Sequence, residues 1–187
     1  MAEPFFQAGQ LREDIDFEAK LAGGRDGKGK LPESFFETYS AFANTAGGVV
    51  LLGLKELEDG KWEARGILEP DKVIADLWAQ LNSEEKVNRN LLSTDSVQKH
   101  ELQKGRWLVE IVVPRATRKE RPVYLKKNPL TGTYKRQGDG DFLCSEEEVR
   151  RMLAEQTEDA RDARIIEHFG FDDLNLETFR AGPTELG

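Results

Sequence analysis

The stretch from Pro32 to Leu54 restricts the fold of this chain more than any other part of its sequence. Pro32 opens a helical pattern in which apolar residues recur at i, i+1, i+4, i+7 and i+8, namely Phe35, Phe36, Tyr39, Phe42 and Ala43. Gly47–Gly48 ends that helix, and Val49–Leu54 is a continuous apolar run short enough to be a buried strand. The sequence therefore predicts a helix, a turn and a buried strand in direct succession.

Further strands and helices follow from the same periodicities. The period-2 alternation of Ile15–Leu21 predicts a half-buried strand, and Glu58–Asp59–Gly60 predicts a turn that leads into a return strand. The remaining patterns predict a helix over 70–82, strands over 96–102 and 106–113, a hairpin of 123–125 with 133–136, and helices over 145–155 and 159–169. Without strict βαβ alternation, these elements favour an α+β fold with a mixed, largely antiparallel sheet and helices packed on it.

Length and the pattern at the two ends set the expected domain organisation. The 187 residues suffice for one domain over 1–157, followed by a C-terminal helical extension over 158–187. Because the tail still contains apolar residues, we expect it to begin a linker to further domains. No apolar run approaches the length of a membrane span, and the first residues do not have the pattern of a secretory signal, so a cytoplasmic protein is expected.

Cysteine and histidine are too scarce for several kinds of site. Cys144 is the one cysteine, and His100 and His168 are the two histidines. An internal disulfide, a multi-cysteine metal site and a histidine cage are therefore excluded. Any metal would be held by oxygen ligands.

Basic residues are concentrated in one window of an acidic chain. The formal net charge is -8, yet the window from Arg115 to Arg136 contains eight basic residues and one acid. Within it, the predicted hairpin places Tyr124 and Tyr134 beside Lys126, Lys127 and Arg136, which combines charge for phosphates with rings on which bases can stack. The residues predicted to bind nucleic acid are Lys20, Tyr124, Lys126, Lys127, Tyr134 and Arg136. An ordinary basic surface is the alternative interpretation.

Three carboxylates near strand ends form a second candidate site. Glu13 lies just upstream of the first strand, Glu18 lies on it beside Lys20, and Glu56 lies at the mouth of the first hairpin. Oxygen ligands of this kind could hold Mg²⁺ or Mn²⁺ for phosphodiester hydrolysis, with Lys20 stabilising the developing negative charge. In a chain with 35 acidic residues, a solvated charged face is the competing interpretation.

The loop Gly24–Lys30 matches the first seven positions of the phosphate-binding pattern G-x-x-x-x-G-K. Leu31 stands where that pattern has a serine or threonine, so the hydroxyl that would bind Mg²⁺ is missing. A flexible basic loop is the favoured interpretation, and ATP binding is kept as an alternative.

Taken together, several motifs resemble the Schlafen-type AlbA-like domain. They are EDIDFEAK (13–20), LPES (31–34), SAFANTAGG (40–48), PVYL (122–125), YKRQG (134–138) and SEEE (145–148). The resemblance extends from about residue 11 to residue 155, and the AFANTAGG stretch is its most specific part.

The resemblance implies a function as well as a fold. Bacterial members are described as DNA-binding domains of transcriptional regulators and have also been labelled divergent AAA ATPases. The first hypothesis is therefore a nucleic-acid-binding module, for DNA or RNA, with a second copy of the chain as a further candidate partner. In the ribonuclease members, the catalytic acids match Glu13, Glu18 and Glu56, so a metal-dependent endoribonuclease is the alternative.

Overall fold

The computed structural model describes residues 16–103 and 105–168, with side chains through residue 162. Its main sheet has four strands in the order β1-β2-β6-β5, where β1 and β2 are parallel and the other neighbours are antiparallel. These strands are β1 (Phe17–Lys20), β2 (Gly48–Leu52), β5 (Val97–Gln103) and β6 (Arg106–Val113). The predicted α+β class and the largely antiparallel sheet are confirmed.

Two small hairpins, four α-helical segments and a 3-10 turn (Thr94–Ser96) complete the described part. The hairpins are formed by β3 (Leu54–Glu56) with β4 (Trp62–Ala64) and by β7 (Tyr134–Gln137) with β8 (Gly140–Leu143). The helices are α1 (Ser34–Asn44), α2 (Pro70–Leu81), the single turn α3 (Pro129–Gly132) and α4 (Glu146–His168). Ser145 and Glu148 form a capping box at the start of α4 through reciprocal side-chain to backbone hydrogen bonds.

The main core lies between the sheet and the first two helices. Nine of the eleven residues of α1 are buried, and its apolar side chains pack there with the stripe Val73, Leu77 and Leu81 of α2. Alternate residues of β2 and β6 meet them, including Val50, Leu52, Val109 and Ile111. A smaller cluster of Leu51, Leu54 and Leu108 lies apart from this core.

The side-chain amide of Asn44 joins α1 to the chain segments that follow the sheet. Asn44 Nδ2 donates to the carbonyl oxygens of Val123 at 2.8 Å and Tyr134 at 3.0 Å, and Oδ1 accepts from Val123 N at 2.8 Å. One turn earlier, Ser40 Oγ donates to Val123 O and accepts from Tyr134 N. These contacts fix the position of α1 against the segment that carries the basic residues.

The glycine pair that follows α1 is required by close packing. Gly47 has a φ of 76°, and a Cβ on it would lie 2.8 Å from the carbonyl oxygen of Val113. A Cβ on Gly48 would lie 2.5 Å from the ring of Phe42. Only glycine allows β2 to begin so close to α1 and to the end of β6.

Two predicted hairpins are paired differently in the structure. The strand predicted over 49–54 bends at Gly53, so that β2 stays in the centre of the main sheet and only β3 pairs with β4. The segments 123–125 and 133–136 share a single bridge, between Tyr124 and Thr133.

The second difference has a local cause. Residues 129–132 form the helical turn α3, which the Asn128 side chain caps by accepting from Leu130 N at 3.0 Å. A helical turn separates the flanking segments more than a tight hairpin turn would. Strand β7 therefore pairs with β8, which the sequence pattern did not predict.

Helix α4 is continuous where two helices were predicted. It runs from Glu146 to His168 without interruption, and the Gln156 amide donates to Lys119 O at 2.7 Å. The predicted domain boundary at residue 157 lies inside this helix and remains a prediction. In the part of the chain that is described, no helix has the length and apolar character of a membrane span.

Replacing Asn44 with alanine should lower the free energy of unfolding by about 2–4 kcal/mol, because Val123 N and Tyr134 O would lose this side-chain partner and Val123 O would keep only Ser40 Oγ. Urea titration would measure the loss. Asn82→Ala is a matched control, since its side chain makes exposed contacts and should cost about 0.5 kcal/mol. Equal losses in both variants would contradict this role for Asn44.

Candidate nucleic-acid interface

Arg136 lies at the centre of an ion network that joins β7, β8 and β1. Its guanidinium donates to Asp141 Oδ1 at 2.9 Å and to Glu18 Oε2 at 3.1 Å, and only 4% of its side chain is exposed. Lys20 Nζ donates to Glu18 Oε1 at 3.2 Å, and Thr38 Oγ1 donates to Asp141 Oδ2 at 2.6 Å. Burial opposes the charge of Arg136, but the contacts with Asp141 and Glu18 outweigh burial and raise its pKa. Both predicted phosphate ligands in this network are therefore already paired with carboxylates.

The four other residues predicted to bind nucleic acid have different surroundings. Tyr124 is half-buried, and its backbone N–H donates to the Asn88 side chain. Lys127 pairs with Glu85, and this contact raises the pKa of the lysine. Lys126 is exposed and has no carboxylate partner among the described residues. Tyr134 is half-buried, and its hydroxyl donates to Glu37 at 3.4 Å.

The structure describes two of the three predicted metal ligands, Glu18 and Glu56. Glu13 lies outside the described residues, Glu56 is exposed at the end of β3, and Glu18 is held by Lys20 and Arg136. Within residues 16–103 and 105–168, no group of three Asp, Glu, His or Cys residues is arranged to hold a metal ion. Lys20 and Arg136 compete with a divalent cation for the Glu18 carboxylate, and the three-carboxylate metal site remains a prediction.

The loop Gly24–Lys30 lies between β1 and α1, as the phosphate-binding pattern requires. However, the backbone N–H groups of Gly29 and Lys30 donate to the carbonyl oxygens of Gly23 and Ala22. A phosphate cradle needs such groups to point at the ligand. In this conformation, two of the groups that would bind phosphate are used inside the loop.

Basic residues from three separate segments line one cleft with a volume of about 520 Å³. We call it the arginine cleft. Its basic side chains are Arg115, Arg118 and Arg121 after β6, Lys135 and Arg136 on β7, and Arg151 on α4. Its acidic side chains are Glu148 and Glu155 of α4. The cleft therefore concentrates positive charge on a molecule whose net charge is negative.

Pairing separates the basic residues of the cleft into two groups. Lys135 Nζ donates to Glu148 Oε1 at 2.6 Å, which raises the pKa of the lysine and lowers that of the glutamate. Arg136 belongs to the network described above. The four other arginines have no carboxylate partner within the described part of the chain: Arg115, Arg118, Arg121 and Arg151. The Nε atom of Arg121 is also buried without a hydrogen-bond acceptor there.

The segment that carries three of these arginines is held in place by backbone contacts. Ala116 N donates to Ala43 O at 2.8 Å, and Thr117 O accepts from the backbone N–H groups of Glu120 and Arg121. The carboxylate of Glu120 accepts from Thr117 N at 2.8 Å. This turn is fixed against the end of α1 while its guanidinium groups stay available.

The sequence contains a signal for three of these arginines. Arg115, Arg118 and Arg121 recur at every third position inside the basic window. Arg151 follows the acidic run Glu146–Glu148, and only the packing of α4 beside β7 brings it to the cleft. Cys144 also lines the cleft, where burial raises the pKa of its thiol to about 11.

Comparison with known proteins identifies a family and a solved structure that this chain resembles. The family model described as Schlafen, AlbA_2 matches residues 13–145. The solution structure of the N-terminal domain of a RecG-related protein from Nitrosomonas europaea is 30% identical with a TM-score of 0.50. That similarity covers 73% of this chain and 87% of the other. No curated protein matches the sequence.

Replacing Arg136 with methionine should lower the free energy of unfolding by about 2–4 kcal/mol, because Asp141 and Glu18 would lose their shared cation. Chemical denaturation would measure this loss. Arg150→Met is the control, because its ion pair with Glu146 is exposed and should contribute less than about 1 kcal/mol. If Arg136→Met left the free energy of unfolding unchanged, the network would not stabilise the fold.

Millimolar Mn²⁺ should leave the melting temperature unchanged, because Glu18 already has two cationic partners. A cation that binds only the folded state would raise the melting temperature by linkage. Thermal unfolding with Mn²⁺ and with EDTA tests this expectation. A rise that Glu18→Gln removes would restore the three-carboxylate metal site.

Proposed function

The chain belongs to the Schlafen AlbA_2 family, and we propose that it is a nucleic-acid-binding domain that holds phosphate groups in the arginine cleft. The observation that carries the proposal is the convergence of four arginines without carboxylate partners among the described residues. Unneutralised cations in one cleft repel each other, and an anionic ligand removes that repulsion. Guanidinium groups are well suited to this task because they donate two parallel hydrogen bonds to a phosphate.

The global charge of the chain favours a local mode of binding. With a net charge of -8, the molecule as a whole does not attract a polyanion. Affinity must therefore come from the cleft, with exposed Lys126 as a further contact outside it. The relative from Nitrosomonas europaea, whose name refers to an ATP-dependent DNA helicase, supports the same ligand class. A role in transcriptional regulation is the setting that we propose for this binding.

The two alternative functions have less support. Neither a metal-dependent nuclease nor an ATP-binding protein is favoured by a specific contact in the described residues. Glu18 is paired with cations, and the loop Gly24–Lys30 uses two of its backbone N–H groups internally. We therefore do not propose catalysis for this chain.

The double variant Arg115→Glu with Arg118→Glu tests the proposed function. Both side chains are exposed and unpaired within the described structure, so the substitutions should leave folding intact. Fluorescence anisotropy with a labelled duplex should show at least a tenfold loss of affinity. The dependence of log K on log salt should become shallower by about 1 for each lost arginine.

Lys61→Glu with Arg65→Glu is the matched control, because it makes the same change of net charge on the hairpin β3–β4. That variant should retain most of the affinity. Equal losses from both double variants would mean that global charge, and not the cleft, governs binding. An unchanged affinity in the cleft variant would overturn the proposal.

A further inference from the structure

A second, smaller pocket adjoins the arginine cleft along strand β7. It has a volume of about 210 Å³ and lies between α1 and the segment 125–134. Phe36, Leu125 and Tyr134 provide its apolar and aromatic surface, while Glu37, Lys86 and Lys126 provide polar groups. Tyr134 lines this pocket, and the next residue, Lys135, lines the arginine cleft. Consecutive residues of strand β7 therefore line the two sites.

The polar groups of this pocket are unequally engaged. Lys86 is satisfied, since it pairs with Glu33 at 3.2 Å and lies over the Phe36 ring at 5.6 Å. Glu37 accepts one long hydrogen bond, from the Tyr134 hydroxyl. Lys126 is exposed without a carboxylate partner in the described part of the chain. A carboxylate acceptor and an ammonium donor thus remain available beside an aromatic ring.

The backbone of Lys126 has a left-handed conformation, which is strained for a residue with a side chain. Lys126 and Lys127 have φ values of 54° and 58°, a left-handed conformation that residues with a Cβ rarely adopt. Hydrogen bonds hold this turn, from Lys126 N to Lys86 O and from Asn128 N to Leu125 O. Glycine would adopt the same conformation without strain. Strain that persists at a non-glycine residue is a known feature of ligand-binding positions.

The size of the pocket suits one ring system. A cavity of about 150 Å³ holds a benzene-sized molecule, so 210 Å³ accommodates a single heterocyclic base. Tyr134 offers a ring for stacking, and Glu37 can accept a hydrogen bond from an amino group on a base. Lys126 at the rim can pair with the phosphate attached to that base.

We propose that this pocket binds one unstacked nucleotide, with the base against Tyr134 and the phosphate at Lys126. For a nucleotide within a strand, the inference rests on the proposed function, because the arginine cleft would hold the neighbouring phosphates. A free nucleoside monophosphate has the same chemistry and is the second possible source of the ligand. The pocket then distinguishes nucleic acid with an accessible base from a bare phosphate chain.

The experiment compares two single strands of equal length, one with normal bases and one in which every nucleotide is abasic. Both carry the same phosphates, so the arginine cleft should bind them alike. The strand with bases should bind about 5- to 150-fold more tightly, which is the range that stacking on one aromatic residue supplies. Tyr134→Leu should remove that difference without changing the affinity for the abasic strand. Tyr134→Phe keeps the ring and should retain most of the difference in affinity between the two strands.

Lys126→Gly separates a ligand contact from a structural role. Glycine relieves the backbone strain, so the melting temperature should stay the same or rise. The affinity for the strand with bases should fall, and its salt slope should become shallower by about 0.7. A variant that loses stability and keeps its preference for bases would show that Lys126 is only structural, which contradicts the proposal.

The outcomes distinguish this inference from the proposed function. If wild-type protein binds neither strand, the proposed function fails; if it binds both equally, the nucleotide pocket fails while the arginine cleft stands. Calorimetric titration with adenosine monophosphate identifies the source. Binding that depends on Tyr134 supports a free nucleotide as ligand, and a preference for bases without such binding supports a nucleotide within a strand. If the strand with bases binds no more tightly than the abasic strand and adenosine monophosphate does not bind, the inference is wrong.

Discussion

The side-chain amide of Asn44 determines where the functional surfaces of this domain lie. Asn44 and Ser40, one helical turn apart, use their polar atoms to bind the backbone of residues 123 and 134. Thr45 extends this row by accepting from Arg136 N at 2.9 Å. A buried amide that lost these partners would be costly, so α1 has one stable position against β7. The arginine cleft and the nucleotide pocket both lie along that contact.

Pairing with carboxylates matters more than the number of basic residues. The basic window contains eight cations, but Arg136, Lys135 and Lys127 are neutralised by acidic residues elsewhere in the chain. The arginines after β6 keep their charge available because their turn is held through backbone atoms. An acidic protein can in this way present a local site for a polyanion and avoid general attraction to nucleic acid.

The sequence predicted local structure well and long-range pairing poorly. Periodicity was sufficient for α1, α2 and β6, because their buried faces follow the 3.6- and 2-residue repeats. The hairpin of β7 with β8 was missed, because the glycines around residue 138 resemble an ordinary loop. The site was more difficult to predict than the fold. Lys127 pairs with Glu85, 42 residues away in sequence, and Arg136 pairs with Glu18, 118 residues away. No local pattern reports contacts of that separation, so the sequence alone could not tell paired cations from available ones.

The continuity of α4 gives the domain a mechanical property. The helix contributes Arg151 to a wall of the cleft and runs on to His168, about 18 Å beyond its contact at Gln156. A helix of this length behaves as a stiff rod, so a rotation that moves Arg151 also moves the far end. A shift of the α4 axis beside the cleft therefore appears as a displacement at the far end of the helix, near residue 168.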